Sequence, residues 1–586
     1  MIDEATPGRQ PVTIVQIDQP FCSNTFGTAP CTATGAAGAE CYNTFGTCQD
    51  KTNFSRSTKQ LYFSDGSAGC RLVGVDADKY VIPSLVSVST SPTKINLSGA
   101  NPNATGLGNR AVCSITFQDH PDTDRSVDPY VSTRGHDQLK RGSFWSKWFA
   151  RNKYRQNILI TIYEGYSGQL LSEMMSRKYF LQSVSGPDSS GRVKITGKDI
   201  LARLEERKSN APSASPGVLY ANISESDMTL DVVGAVLSDY PASGTIRIGS
   251  ELIKYTSTVL SVDKITFTLS ERGSDGSIAA THSQKDAVQE CVRYENAKIY
   301  DVLQDLLVSW SGIDQAYLNT PAWAVEFDTH LPAYRLTTVI SEPTAVSKLV
   351  ADLQIECQFY AWWDERSALV NVRAIRGVDA GITRLTEESN ILENSLSIVE
   401  KPEQRASQVW IYHTVRDYTN GINDVNRYKS TEVVANLSSE GINEYGEPSV
   451  RKIYSRFLQS SALAFSTATR ILNRYSDAPR ICEFALDAKD RKIWVGDTVE
   501  ISHRIDVDET GARKINRWTI TSAEEFIAGD KIRYTAEDTT VYGLIRYIMP
   551  AGSGDYQGYD VSPDKNCYIG DAAGLLSDGA QAGRIS

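Results

Sequence analysis

Apolar and polar residues alternate along much of this chain. "AVCSITFQDH" (111–120) is an alternating strand that leads into the acidic loop "PDTDRSVDPY". "KQLYFSD" and "KYVIPSLVSVSTSPTKINL" predict further short strands, broken by Gly, Pro, Asn and Ser turns. Helical spacing is confined to a few segments. In "GSFWSKWFARNKYRQNILITIYEG", Phe144, Trp145, Trp148 and Phe149 share one helical face, Lys147 and Arg151 lie elsewhere, and a strand follows. In "ENAKIYDVLQDLLVSW", Ile299, Val302, Leu303, Leu306, Leu307 and Trp310 share a face. A second helix around "TAVSKLVADLQ" carries Val346, Leu349, Val350 and Leu353 and runs into the hairpin-like "CQFYAWWDERSALVNVRAI". A third covers "QSSALAFSTATRILNRYS", and "RICEFALDAKDRKIWVGDTVEISHRIDVDETGARKINRWTITSAEEF" predicts an antiparallel meander punctuated by turns.

These elements predict an α+β, β-rich, multidomain protein. A chain of 586 residues exceeds one core and divides into three to five compact modules. "RKSNAPSASPG" (207–217) has linker composition, and the strand-rich unit after it, ending near Val292, reads as an insertion. The expected division is a four-cysteine module at 1–75, a β domain with a helix at 76–208 and the inserted small β domain at 209–294. A helix-plus-hairpin domain follows at 295–400, a second β domain at 401–550, and an extended tail at 551–586.

Charge and missing motifs narrow the function. The formal charge of -11 argues against a protein that coats nucleic acid, because phosphate binding needs a concentrated basic surface. Six basic residues between Lys140 and Arg155 interleave with aromatics, so a base-stacking platform competes with the core reading of that stripe. No basic region followed by an apolar one opens the chain, and nowhere do 18 apolar residues run together, so neither a signal peptide nor a membrane span is expected. The six histidines, His120, His136, His282, His330, His413 and His503, have no metal-ligand spacing. "DVDETG" (506–511) has Arg517 where a calcium loop needs its bidentate Glu, and reads as a hairpin turn. Asp119, His120, Asp122, Asp124 and Asp128 form a solvated turn or, alternatively, a cation site. No phosphate-binding loop, nucleophile elbow or other catalytic constellation is present, so an enzyme is not expected.

The most distinctive chemistry is near the N-terminus. Cys22, Cys31, Cys41 and Cys48 follow the pattern C-x8-C-x9-C-x6-C, and Cys-x-Asn-Thr-Phe-Gly-Thr is written twice, from Cys22 and from Cys41. Zinc usually takes C-x2-4-C knuckles, and the spacing does not match a bacterial ferredoxin run. Four thiolates on two loops can nevertheless enclose a cluster, with Gly27 and Gly46 allowing close backbone approach and loop amides donating to sulfur. Spacing alone leaves metal and disulfide both open.

The quartet, with its Cys-x8-Cys and Cys-x6-Cys pairs, resembles that of the lambda-like tail tip L proteins, which carry an iron–sulfur cluster. The order "VDPYVSTRG…GSFWSKWFARNKYRQNILITIYEG…SRKYFLQSV…VKITGKDIL" resembles the baseplate hub or tail tip proteins of long-tailed bacteriophages and gene transfer agents, as do "PASGTIRIGSELIKYT…RGSDGSIAATHSQKDAVQ" and "KIWVGDTVEI…RWTITSAEEF". In this chain the cysteine module precedes the hub domains, whereas in the lambda-like proteins it lies further along. The resemblance implies hub domains akin to the tail-tube β-barrel and a virion location at the tail tip or baseplate. It implies a homotrimer joining the tail tube and distal tail protein to a central tip, and DNA passing through without specific binding. It further implies contacts with the tape measure protein's C-terminus and with a tip fibre or receptor-binding proteins, and Cys22, Cys31, Cys41 and Cys48 as ligands of a [4Fe-4S] cluster. The alternatives are a disulfide-stapled adhesin or carbohydrate-binding protein and an iron–sulfur redox enzyme.

Overall fold

The computed structural model describes residues 10–34, 40–67, 72–97, 107–375, 382–527 and 529–538, with the backbone of 546–548 and 583–585. Strand makes up 40% and helix 18%, so the protein is β-rich. The expected tail beyond Pro550, Cys70 and Cys567 lie outside the described residues, apart from the backbone of 583–585, which pairs with that of 546–548.

The first sheet comprises β1 (Pro11–Cys22), β2 (Arg56–Phe63), β3 (Val81–Ile82), β4 (Leu85–Ser91), β5 (Val112–Gln118), β6 (Leu159–Tyr166), β7 (Met175–Ser185) and β8 (Arg192–Lys198), in the order β3-β2-β1-β6-β7-β8-β5-β4. Its two edge strands are chain neighbours, joined by Pro83 and Ser84. The expected closed barrel is not formed, because β3 has only two residues and spends them in a parallel pair with β2, leaving no length for a ladder with β4. Helix α1 (Phe144–Arg151) packs Phe144, Trp145 and Trp148 against Val15, Ile17, Phe63, Phe117, Ile160 and Ile195 in one core. Trp145 lies 4.7 Å from Phe117 and 5.3 Å from Phe63, ring centroid to centroid, and is fully buried. Phe144, Trp145 and Trp148 of the aromatic stripe are therefore core, with Phe149 packed half-buried against it.

The segment with linker composition is pinned: β9 (Asn210–Ala211) pairs with β17 (Thr344–Ala345), and Ser209 and Ala211 are buried. The insert forms β10 (Val218–Leu219), β11 (Thr229–Val233), β12 (Gly244–Ile248), β13 (Glu251–Ser261), β14 (Lys264–Glu271) and β15 (Gln289–Ala297). Their order is β10-β11-β14-β13-β12-β15, and β15 runs on to pair with β16 (Leu336–Ile340) of the following unit. Leu219, Val232, Ile246, Ile253, Phe267 and Val288 give the insert its own core.

The central core gathers α2 (Ile299–Val308), α3 (Thr320–His330), α4 (Val346–Cys357), the hairpin β18 (Phe359–Asp364) and β19 (Leu369–Ala374), and α5 (Ser461–Tyr475). Every patterned position on α2 and α4 is buried except Trp310, which packs half-buried beyond the end of α2. α3 is absent from the sequence pattern because only Trp323 and Phe327, one turn apart, are buried in it. The last units add β20 (Thr383–Thr386), β21 (Ser397–Glu400), β22 (Gln408–Val415), β23 (Tyr428–Ala435), β24 (Val450–Tyr454), β25 (Arg480–Asp487), β26 (Thr498–Val507), β27 (Arg513–Ile527) and β28 (Lys531–Asp538). They form a three-stranded sheet, β23-β22-β24, and a six-stranded sheet, β20-β26-β27-β28-β25-β21. The simple meander expected from Arg480 onward is therefore corrected: β26, β27 and β28 fold back so that β25 lies beside β28, and β20 enters parallel to β26. This sheet is also open, ending on two four-residue strands, β20 and β21. The first unit reaches the last sheet at two points: Ile95 N–H, beyond β4, donates to Thr521 O of β27 at 2.9 Å, and the Tyr166 hydroxyl at the end of β6 donates to Gly529 O in the β27–β28 turn.

Candidate functional site

Cys22 is the last residue of β1 and stands opposite Arg56, the first residue of β2. Everything from Ser23 to Ser55 is thus an excursion from one antiparallel pair, with Cys22 at its stem. Cys22, Cys31, Cys41 and Cys48 all line one cavity together with Asn24, Phe26, Asn43, Asp50 and Asn53, a space of about 280 Å³ counting its open mouth. Cys22 is buried, the other three are half-buried, and all four are free thiols. Burial pushes the Cys41 thiol up, and Cys48, Cys31 and Cys22 push it further, so the four groups feel one another's charge. Cys48 is raised in the same way, by burial first. Among the described residues, no three His, Cys, Asp or Glu side chains are drawn in to the spacing of a metal ion.

Asp50 braces the rim. Its carboxylate accepts from Thr32 N–H at 2.8 Å, Thr32 Oγ1 at 2.9 Å and Asn53 Nδ2 at 3.0 Å, bonds that hold it at about 2. The two copies of the repeat do different work. Gly27 takes a left-handed φ of +70, whereas a Cβ on Gly46 would stand 3.1 Å from Arg151 O. Gly46 therefore allows close approach to the end of α1, and not to a sulfur. Phe26 meets Tyr130 edge-on at 6.2 Å, while Phe45 meets Phe54 at 5.2 Å and Tyr154 at 5.8 Å. Two loop amides reach a sulfur: Asn43 N–H lies 3.4 Å from Cys41 Sγ, and the Asp50 backbone bonds to the Cys48 thiol.

The acidic loop after β5 is neither a cation site nor a solvated turn, because its carboxylates are taken by internal cations and amides. Asp119 accepts from Trp145 N–H at 2.9 Å and from the Ser143 hydroxyl, capping α1. Asp124, 1% exposed, accepts from Arg151 Nη1 at 3.1 Å and Nη2 at 2.8 Å, with Lys147 Nζ at 2.9 Å. Burial alone would raise Asp124, but Arg151 and Lys147 outweigh it and hold the carboxyl below its ordinary value. Asp128 accepts from Arg134 Nε at 3.0 Å and Tyr130 N–H at 2.9 Å. His120 stacks on Phe144 at 5.3 Å. Arg134 donates onward to Cys41 O at 2.5 Å, and the guanidiniums of Arg134 and Arg151 lie 4.5 and 4.0 Å from the Tyr42 ring. Thr44 Oγ1 donates to Arg151 O at 2.7 Å.

The cysteine loops are thereby docked on α1 and the acidic loop. Sequence reasoning missed this platform. Its available signal was Lys147 and Arg151, one turn apart and off the aromatic face, which need acidic partners if they are covered. The "DVDETG" stretch ends β26 at Val507 and turns toward β27 over 508–511, closed by Asp508 N–H to Ala512 O at 2.8 Å, with Gly511 at a φ of +84. His282 and His413 are buried, the former 2.7 Å from Glu251.

Fold and site together describe a β-rich, multi-sheet protein with a four-thiol module seated on its first sheet. No family model matches the chain, and no curated protein matches it. Among solved structures it is similar to the 43 kDa tail protein of prophage MuSo2 from Shewanella oneidensis, with 10% identity, 78% of this chain and 99% of that chain covered, and a TM-score of 0.36. It is also similar to a tail protein from Neisseria meningitidis, with 9% identity, 78% and 98% covered, and a TM-score of 0.36. A chain of a native gene transfer agent virion matches at 11% identity, with 58% and 87% covered and a TM-score of 0.29.

Proposed function

We propose that this chain is a structural hub or tip protein of a bacteriophage tail, without a catalytic role. The observation that carries the reading is the gathering of Cys22, Cys31, Cys41 and Cys48 around one cavity, since this quartet is the most specific part of the sequence resemblance. In the assembled tail the chain is a homotrimer that joins the tube and distal tail protein to a central tip fibre or receptor-binding proteins, and meets the C-terminus of the tape measure protein. The net charge of -11 suits a conduit for DNA, because a cationic wall would hold passing phosphate.

The donor set fits an iron–sulfur cluster: four soft thiols face one space, and soft thiolates favour iron–sulfur, zinc or copper(I). We assign Cys22, Cys31, Cys41 and Cys48 as ligands of a [4Fe-4S] cluster. Bound there, it supplies covalent cross-links between two loops that bury little apolar surface of their own. Anaerobic purification followed by iron, acid-labile sulfide and zinc analysis tests the assignment. Iron and sulfide that vanish together in the quadruple Cys→Ser variant are expected. Four oxidised thiols without metal would instead favour the stapled adhesin. Cys31→Ser is expected to lower tip assembly, and normal infectious particles from that variant would contradict the structural role. Size analysis of the assembled protein checks the trimer.

A further inference from the structure

The repeat places an asparagine two residues after both Cys22 and Cys41, yet the two asparagines are used differently. Asn24 donates its side-chain amide to Asn53 O at 2.7 Å, near the rim. Asn43 is buried, with 6% exposure, and takes a left-handed φ of +53, uncommon for a residue other than glycine. Its Nδ2 donates to Cys22 O at 3.0 Å and Asn24 O at 3.1 Å. Its backbone carbonyl accepts from Cys22 N–H at 2.7 Å, and its own N–H points at Cys41 Sγ, 3.4 Å away. Its Oδ1 accepts from the Tyr130 hydroxyl at 2.9 Å, and that hydroxyl in turn accepts from Phe26 N–H at 2.7 Å. The two carbonyl acceptors decide which end of the amide is nitrogen, since a flipped amide would leave both without a donor.

One side chain thus ties the stem of the first loop to the second loop, and both to the platform through Tyr130. Tyr130 is itself held by Asp128, which Arg134 secures. We propose that Asn43 and Tyr130 form a clamp that positions Cys22 relative to Cys41, and so sets how tightly the four thiols hold their inorganic group and at what potential it is reduced. This rests on the cluster assignment above. Groups behind metal ligands fix ligand orientation, and their loss typically weakens metal binding by about 10–100-fold. In its left-handed conformation Asn43 uses its backbone carbonyl, side-chain amide and N–H toward Cys22, Asn24 and Cys41 together.

The test uses the full chain, reconstituted anaerobically, with three readouts: iron and sulfide content, the rate of iron loss to a chelator, and the midpoint potential. Asn43→Gly keeps the left-handed backbone without strain while deleting the side-chain bonds. It is expected to release iron about 10–100-fold faster than the native chain and to shift the potential. Tyr130→Phe, which lies outside the cysteine loops and removes only the hydroxyl shared by Asn43 Oδ1 and Phe26 N–H, is expected to move both readouts in the same direction by less, and it serves if Asn43→Gly fails to fold. A loaded native chain with both variants unchanged in release rate and potential overturns the clamp and leaves the cluster assignment standing. A native chain that takes up neither iron nor sulfide overturns both.

Discussion

The cysteine loops and the inserted domain are both small additions to the larger sheets, and they are held together in opposite ways. The insert closes its sheet over Leu230, Val232, Ile246, Ile253, Ile265 and Phe267, all buried, and keeps a satisfied buried carboxylate, Glu251 with Arg272 and His282. Between Ser23 and Ser55, by contrast, the only described residues that are buried are Asn43 and Thr44, both polar. An apolar core of that first kind stabilises itself in proportion to the area it removes from water. The second kind depends on what it leans on: hydrogen bonds to Tyr130 and Arg151, two guanidiniums against Tyr42, and the group its thiols are assigned to hold. Independence comes with a core, and a module without one borrows its order.

The comparison breaks most visibly where each region's own support is removed. Phe267→Ala is expected to cost roughly 3–5 kcal/mol. Hydrogen exchange should show the loss confined to residues 218–292, with the cysteine loops unmoved; a loss spreading into 23–55 would mean the insert is not self-supporting.

A smaller effect is expected at the platform. Asp124→Asn leaves Arg151 and Lys147 without their carboxylate in a buried setting and is expected to loosen the loops by about 3 kcal/mol, read as faster exchange at 23–55. The native protein should show a matching acid dependence. The folded Asp124 carboxyl lies below the value of 3.8 it has when unfolded, so its stabilisation is complete above that value and is lost as pH falls through the lower folded one. Acid titration of loop exchange should show this step in the native chain and lack it in Asp124→Asn. The smallest change is Thr44→Val, which removes the bonds to Arg151 O and Thr47 Oγ1 and is expected to cost about 1–2 kcal/mol, again local to the loops.

Much of the fold was readable before the structure. α2, α4 and α5 were legible because their apolar residues recur at helical spacing, and each such stripe has one core to face. α3 was not, since Trp323 and Phe327 alone make too narrow a stripe to register as a period. Alternation identified β25 to β27 as strands but not their partners, and β28 lay beyond the stretch read as a meander. A period of two says which face is buried and nothing about which neighbour completes the ladder, so the return of β28 to β25 and the parallel entry of β20 stayed hidden. The two sheets expected as barrels proved open for a related reason: closure depends on the length and direction of edge strands such as β3, which local pattern does not report.

At the candidate site the division falls between residue type and residue partner. By itself the sequence determined that four thiols and a doubled loop stand together near the N-terminus, that an aromatic stripe lies on one helical face, and that the chain is acidic overall. These follow from composition and short-range spacing, which are local properties. Only the tertiary structure decided that Asp124 and Asp128 serve as the platform's internal counter-charges, that Gly46 abuts α1, and that the Asn43 side chain bonds to the stem at Cys22 and to Tyr130 while the Asn24 side chain goes to Asn53 O near the rim. Identical words in a sequence, Asn-Thr-Phe-Gly-Thr, acquire different roles because a hydrogen bond or ion pair is set by what arrives from distant parts of the chain, as Tyr130 does 87 residues away from Asn43.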